Sequence, residues 1–245
     1  MNMLTRFLSC TAFSLFAGLA FSQSSGAELL RNGGFELVSS EPKTYDQITQ
    51  AEGWKNVTIG FSELFTKRAS AKTIGIPDND YGHMEPQEGD HYAGFFAWKD
   101  DVRRNLTAGE DDFVQGWSAY SEYLIAELLQ PLQEGKVYEI SFWVGLSGNS
   151  DRSVSGLGAY FSAEALHFDH RRFLEQKPQV SVDAIVGEKS TWTNVKGSFE
   201  ADGDERFISI GTFPAAGFDT KRLVEGLDNQ YAYYYVDNIS LRETE

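Results

Sequence analysis

The sequence has very little cysteine, and what it has lies near its beginning. Cys10 is the only cysteine among 245 residues, so an internal disulfide framework and a metal site built from several cysteines are both excluded. Long apolar runs are scarce as well. After residue 21 no stretch reaches the roughly 20 apolar residues that a membrane-spanning helix needs, and we therefore expect no transmembrane segment.

Positive charge is also in deficit. Lys and Arg total 21 against 36 Asp and Glu, which gives a formal net charge of −15. Nucleic acids and anionic membranes are bound mainly through Lys and Arg side chains, so we expect no nucleic-acid partner. An acidic surface also keeps a protein soluble, and this accounts for the charge without any specific function.

Common catalytic and phosphate-binding motifs are missing. The sequence contains no H-E-x-x-H pair, no G-x-S-x-G elbow and no P-loop. His167 and His170 flank an aspartate, but the two arginines that follow favour an exposed turn over a metal site. The abundant carboxylates leave open a polysaccharide-active lyase or hydrolase, because positions along the chain do not give the separation of two carboxylates in space.

The N-terminal residues are typical of an export signal. Residues 1–6 carry one positive charge, residues 7–21 are predominantly apolar, and small residues follow. We predict a signal peptide over residues 1–22 that is cleaved between residues 22 and 27. Residues 28–245 contain no Pro-rich or Gly/Ser-rich linker and no repeat of fixed period, which predicts a single domain.

Strand patterns dominate residues 28–245. In the segment KVYEISFWVGL the side chains alternate, with Ile140 and Phe142 on one face and Ser141 and Trp143 on the other. Gly- and Asp-containing turn sequences such as QEGK and ADGDE separate this segment from others rich in β-branched and aromatic residues. Only residues 162–166 and 169–176 are helix candidates. Many short strands joined by such turns predict an all-β fold, a jelly-roll β-sandwich.

Four segments carry a resemblance to a known family. NGGFE, the GW of residues 53–54, EGDHYAGF and YYYVDNISL follow the order seen in galactose-binding-like jelly-roll domains, the fold of many carbohydrate-binding modules, and the chain resembles that family. IGIPDNDYGHMEPQEGDHYAGFFAW and SEYLIAELLQPLQEGKVYEISFWVGLS look most like an uncharacterised bacterial secreted domain that is often fused to an outer-membrane protein A-type domain. The resemblance implies a galactose-binding-domain-like fold and a location outside the cell, at the surface or in the periplasm of a bacterium. A fold alone does not give a function.

The resemblance also implies a structural calcium ion between the first and last strands. The matching carboxylates are Glu36 and Asp237; Gly34 would let backbone oxygens approach the ion, and Asp90 is a further candidate ligand. The apolar pattern of the last strand changes parity at VDN, which independently predicts a bulge there. The alternative is an ordinary glycine bulge that Asp237 caps without a metal.

Aromatic residues on a solvent-facing strand surface are the feature to seek for sugar binding, because flat rings stack on the apolar faces of pyranoses while polar groups bond the hydroxyls. Trp143 meets this requirement by its alternation, and long polar loops lie near other aromatic residues. The predicted ligand-binding residues are Trp143, Trp98, Trp117, Tyr120, Asn149, Asp151 and Arg152. The alternative is that these rings pack in a second core beneath loops.

The sequence thus predicts an exported, non-catalytic binding module whose ligand is a polysaccharide or oligosaccharide. A second hypothesis takes the same aromatic face as the docking surface for an envelope protein. A polysaccharide-active enzyme is the third.

Overall fold

The computed structural model describes residues 26–99, 102–104, 113–115, 120–224 and 231–244, with side chains left out at residues 102–104, 113–115 and 216. The predicted signal peptide and Trp117 lie outside these ranges. Two sheets of five antiparallel strands form the body of the protein. In the part of the chain that is described, no helix is long and apolar enough to cross a membrane.

The strands are numbered in chain order. Sheet A contains, in spatial order, β13 (Trp192–Glu200), β9 (Val137–Leu146), β16 (Tyr231–Glu243), β5 (His91–Lys99) and β2 (Glu63–Thr66). Sheet B contains β1 (Trp54–Asn56), β8 (Leu124–Glu127), β14 (Phe207–Thr212), β11 (Leu157–Ser162) and β12 (Val180–Val182). Three two-stranded ribbons pair β3 (Asp78–Asn79) with β4 (Gly82–His83), β6 (Val102–Arg104) with β7 (Phe113–Gln115), and β10 (Arg152–Val154) with β15 (Thr220–Arg222). Two short 3-10 helices span Ile48–Gln50 and Pro214–Ala216.

The main core lies between the two sheets. Alternate residues of β9, including Ile140 and Phe142, face Leu124, Ile208 and Ile210 of sheet B, and all five are buried. The chain passes repeatedly between the two sheets, so most neighbours within a sheet, such as β16 and β5 or β14 and β8, are distant in sequence. This arrangement is the predicted jelly-roll β-sandwich.

The first segment that the structure describes runs beside the last strand. The Leu29 N–H donates to the Leu241 carbonyl at 2.9 Å, and the Ile239 N–H donates to the Gly33 carbonyl at 3.0 Å. A Cβ at residue 33 would lie 1.8 Å from the Ile239 carbonyl oxygen, so this contact requires glycine. The predicted bulge is present, because the pairing of β16 with β9 shifts register between Asp237 and Ser240.

The prediction of helices at residues 162–166 and 169–176 is wrong. Beyond the end of β11 at Ser162, the chain through residue 176 is irregular apart from one bridge at Phe168. The Phe168 N–H donates to the Val57 carbonyl at 2.9 Å, and the Leu174 N–H donates to the Tyr123 hydroxyl at 3.1 Å. Bonds to residues beside the ends of β1 and β8 thus replace the bonds that a helix makes within itself.

Candidate functional site

The outer face of sheet A, which points away from sheet B, is divided into a covered half and an open half. Residues 74–84 lie over the covered half, formed by β16, β5 and β2, and close a second hydrophobic cluster there. This aromatic cluster consists of Phe65, Ile74, Ile76, Met84, Tyr92, Phe96, Tyr233 and Tyr235. This half therefore fits the alternative given above, in which aromatic rings pack in a second core beneath a loop.

The open half belongs to β9 and β13 and is centred on Trp143. Trp143 is partly exposed, while the residues on either side of it along β9 are buried. In register it lies between Asn194 of β13 and Asp237 of β16. On the same face Lys196 contacts Glu139, with 2.9 Å between Nζ and Oε1. A large ring flanked by amide, ammonium and carboxylate groups is thus available at the surface.

A shallow groove adjoins the open half at the edge of the sheet. Its volume is about 400 Å³, and Lys196 belongs both to its wall and to the open half. The lining residues are Lys177, Pro178, Gln179, Val180, Ser181, Asp183, Lys196, Gly197 and Ser198. The groove is therefore polar and extends the surface beside Trp143 with further hydrogen-bonding groups.

Trp98, a predicted ligand-binding residue, does not share the face that carries Trp143. The pairing of β16 with β5 shifts register between Ala232 and Tyr233, opposite the stretch from Trp98 to Phe96. One extra residue turns Trp98 toward the main core, whereas Phe96 remains in the aromatic cluster. The Arg152 guanidinium lies over the Trp98 ring, 4.7 Å from its centroid.

Tyr120, Asn149 and Asp151 hold the loops at one end of sheet A. The Asn149 side chain donates to the Asp80 carbonyl at 2.8 Å, and Asp151 accepts the Tyr231 N–H at 2.6 Å. Partial burial raises the pKa of the Asp151 carboxyl. Tyr120 donates to the buried Glu122. These side chains are thus engaged within the protein, away from Trp143.

Three of the four predicted metal-binding residues meet where the first segment contacts the last strand. Glu36 accepts the N–H groups of Asp90 and His91, each at 2.9 Å. Asp237 is fully buried and accepts the N–H groups of Gln87 and Glu88 at 3.1 and 3.3 Å. Gly34 lies between the two carboxylates: a Cβ there would be 3.9 Å from Cγ of Glu36 and 4.0 Å from Oδ1 of Asp237.

The electrostatics of this corner favour a positive charge. Desolvation raises the pKa of Asp237 to about 7, and the negative charge of Glu36 raises it further. Hydrogen bonds from three backbone N–H groups lower this pKa and offset part of the increase. Asp90 points elsewhere, because its carboxylate pairs with Lys67 at 2.9 Å. Among the described residues, no group of three or more His, Cys, Asp and Glu side chains is arranged to hold a metal.

Sequence reasoning missed a pair of buried glutamates at the edge of the aromatic cluster. Glu63 is 3% exposed and Glu122 1% exposed. Glu63 accepts the hydroxyls of Tyr233 at 2.5 Å and Tyr81 at 3.2 Å. Glu122 accepts the Tyr120 hydroxyl and, at 2.9 Å, the Phe96 N–H. The available signal was a carboxylate inside an apolar run, as in FSELF and YSEYLIA.

Burial changes the ionisation of this pair. Desolvation raises the pKa of Glu63 well above its ordinary value, with repulsion from Glu122 as the second cause. Desolvation also raises the pKa of Glu122 to about 8. Neither carboxyl group is exposed enough to flank a substrate, as glycoside hydrolysis requires, so this pair does not support the enzyme hypothesis.

Comparison with known proteins identifies similar folds only among solved structures, since no family model and no curated protein matches the chain. The chain is similar to the CBM22-1 xylan-binding domain of Paenibacillus barcinonensis Xyn10C, with 14% identity, a TM-score of 0.45, and coverage of 91% of this chain and 99% of that one. It is similar to TmCBM61 in complex with β-1,4-galactotriose, with 13% identity, a TM-score of 0.38, and coverage of 89% and 99%.

It is also similar to the K1 cleaved adhesin domain of Lys-gingipain from Porphyromonas gingivalis W83, with 14% identity, a TM-score of 0.41, and coverage of 90% and 100%. All three TM-scores lie below 0.5. The description of the fold therefore rests on the strand order of this chain.

Proposed function

We propose that the protein is an exported, non-catalytic carbohydrate-binding module whose sugar site is the open half of sheet A. The observation that carries this proposal is Trp143, a partly exposed indole on a strand surface where Ser141, Asn194 and Lys196 are its polar neighbours. Such a ring offers a flat apolar face to a pyranose, while neighbouring polar groups bond the hydroxyls and fix the orientation of the sugar.

The shape of the site favours an extended glycan. Asn194 and Lys196 supply donors beside the ring, and Glu139 supplies an acceptor. The groove of about 400 Å³ continues this surface past Lys196, so an oligosaccharide or polysaccharide chain gains contacts that a single sugar lacks. With one stacking ring and a solvated rim, we expect dissociation constants from millimolar to micromolar, roughly −4 to −8 kcal/mol.

Binding calorimetry on the purified domain tests this proposal with neutral oligosaccharides, xylo-, gluco- and galacto-oligosaccharides included. Trp143→Ala should abolish measurable binding, because it removes the stacking surface, and should cost the fold less than a truncated core aromatic, about 3–5 kcal/mol. Trp192→Phe is the matched control, since Trp192 packs against the aromatic cluster and its indole N–H donates to the Glu85 carbonyl at 2.8 Å.

Two outcomes would contradict the proposal. One is the absence of binding to every glycan tested. The other is glycan binding that persists at wild-type strength in Trp143→Ala, which would place the sugar elsewhere.

Docking of an envelope protein is the alternative use of the same face. A stable protein interface has a buried core depleted in charged residues, whereas Trp143 lies opposite Asn194 and shares its strand face with the ion pair of Lys196 and Glu139. This composition favours the sugar. Retention of one defined envelope protein by the wild-type domain and not by Trp143→Ala, together with no glycan binding, would support docking instead.

We also propose a structural calcium ion beside Gly34, held by Glu36 and Asp237. Calcium takes six to eight oxygen ligands, and this corner supplies two carboxylates, of which Asp237 is buried with a raised pKa. Oδ1 of Asn238 lies 3.4 Å from the position of a Cβ on Gly34 and adds a neutral oxygen. The donor set suits a hard cation, with backbone oxygens or water completing the shell. A bound ion would tie the first segment to the last strand.

A further inference from the structure

The segment that crosses the outer face of sheet B encloses a second cavity, on the opposite side of the sandwich from Trp143. Leu174 and Phe168 from this segment pack on Tyr123 and Ile125 of sheet B. The Ile59 N–H donates to the His170 carbonyl at 3.3 Å. Together with the bonds from Phe168 and Leu174 to residues beside the ends of β1 and β8, this contact fixes the segment along its length.

The cavity has a volume of about 310 Å³, which is within the range of small-molecule sites. Its lining is Phe168, His170, Arg172, Phe173, Leu174, Glu175 and Gln176. Aromatic rings and polar side chains are thus mixed around one space, with Leu174 buried at its base.

The rings are held in place before any ligand arrives. The His170 ring stacks on Phe168, with 5.2 Å between centroids and 28° between planes. Phe173 packs edge to face against Phe218, with 5.0 Å between centroids. A ring fixed in this way loses little side-chain entropy on binding.

Polar groups of the cavity can form further hydrogen bonds. Oε1 of Gln176 is buried and accepts no hydrogen bond from the described residues. A buried acceptor without a donor costs about 1–3 kcal/mol. Because this oxygen has no accessible surface, a ligand O–H or N–H group reaches it only if the Gln176 amide turns, and the missing hydrogen bond favours that turn. Arg172 and Glu175 are exposed and add donors and an acceptor at the rim.

We propose that this cavity binds a single sugar ring, either a free monosaccharide or the end of a glycan chain. Phe173 and the Phe168–His170 stack present apolar surface to the ring, Gln176 accepts one of its hydroxyl protons, and Arg172 and Glu175 bond hydroxyls at the rim. A purely apolar ligand would leave the Gln176 acceptor unsatisfied, and an anion would face the Glu175 carboxylate. A neutral polyol ring matches all of these groups.

This site is independent of the one proposed at Trp143, because the two lie on opposite outer faces of the sandwich. A short oligosaccharide does not reach both. The protein would then hold two glycan chains, or two parts of one polysaccharide, at once, and the linked sites would bind a polymer more tightly than either site alone.

The probes for the experiment are the neutral methyl pyranosides of glucose, galactose, xylose and mannose, tested by saturation-transfer NMR and calorimetry on the domain. We expect at least one glycoside to bind in the Trp143→Ala background, from which the site proposed at Trp143 has been removed, and Gln176→Leu and Phe173→Ala, each added to that background, to weaken this binding by about tenfold or more. Arg172→Ala, at an exposed position, is a variant that leaves the packing intact and should weaken binding as well.

Glu164→Ala is the matched control, since Glu164 is exposed on the same segment and does not line the cavity. The proposal is overturned if no glycoside binds in the Trp143→Ala background, or if Gln176→Leu and Arg172→Ala leave the binding in that background unchanged. If Trp143→Ala loses oligosaccharide binding but still binds the glycoside, the two ligands are held at different sites. The site at Trp143 and the cavity are then tested separately, and either proposal can fail without the other.

Discussion

Replacing Glu122 by glutamine should change how the stability of the protein depends on pH. Burial raises the pKa of Glu122 from 4.5 in the unfolded chain to about 8 in the fold. Between these values the folded protein holds a proton that the unfolded chain has released. Folding stability is therefore fully present below pH 4.5 and is lost as pH rises toward 8.

The magnitude follows from the difference of one bound proton. Within this interval, the free energy of unfolding falls by about 1.4 kcal/mol per pH unit because of this group, or roughly 5 kcal/mol in all. Glutamine has nearly the same shape and does not titrate. Its Oε1 can accept the Phe96 N–H, and its amide can donate to the Tyr120 hydroxyl, so both present contacts are kept.

Urea denaturation of the wild type and Glu122→Gln at pH 5, 6, 7 and 8 measures this effect. The free energy of unfolding of Glu122→Gln, relative to that of the wild type, should rise by about 1.4 kcal/mol for each pH unit between 5 and 7.

Glu127→Gln is the control for this experiment, because Glu127 is exposed at the end of β8, the strand that begins two residues after Glu122, and it should leave the pH dependence unchanged. Stability curves for the wild type and Glu122→Gln that run parallel from pH 5 to pH 8 would refute the reasoning. They would mean that Glu122 is ionised in the folded protein over this whole interval.

Three further predictions concern the two ends of the chain. Gly33→Ala should destabilise the fold by at least about 2 kcal/mol in urea denaturation, since its Cβ would lie 1.8 Å from the Ile239 carbonyl oxygen. Gly34→Ala, whose Cβ has its nearest contact at 3.4 Å, should cost much less stability. Equal losses of stability in the two variants would contradict this prediction. Excess chelator should lower the melting temperature of the wild type and not that of Asp237→Asn, and a purified protein that contains no metal and melts unchanged in chelator would favour the glycine bulge. Intact-mass analysis of the exported protein should find a start between residues 23 and 28, and full-length chain recovered only from the cytoplasm would exclude cleavage.

The parts of the fold that follow from local geometry were predictable. Strand alternation has a fixed period of two, so the core-facing Ile140 and Phe142 and the outward Trp143 of β9 followed from the sequence. The bulge in the last strand was predictable from a change of parity, because an inserted residue exchanges the two faces of a strand. Turn residues between the strands indicated the β-sandwich.

The parts that depend on distant partners were not predictable. Trp98 faces the core because β5 and β16 shift register opposite it, and the sequence of β5 alone does not contain that shift. Glu63 is buried against Tyr233, a residue 170 positions away in the sequence, whose hydroxyl donates to its carboxylate. Residues 163–176 lack helical bonds because residues beside the ends of β1 and β8 supply partners for their backbone. Each of these outcomes is set by which segments meet in space.

The proposed metal site and the proposed sugar site are joined through one residue pair. Asp237 lies directly opposite Trp143 in the pairing of β16 with β9, and the register of that pairing shifts immediately after Asp237. A bulge leaves a residue unpaired and weakens the local ladder, so the strand beside the indole depends on what holds Asp237. Backbone N–H groups of Gln87 and Glu88 do so in this structure, and a cation shared with Glu36 would add a tie to the first segment. Calcium would then act on sugar binding by positioning the surface that carries Trp143, without contacting the sugar.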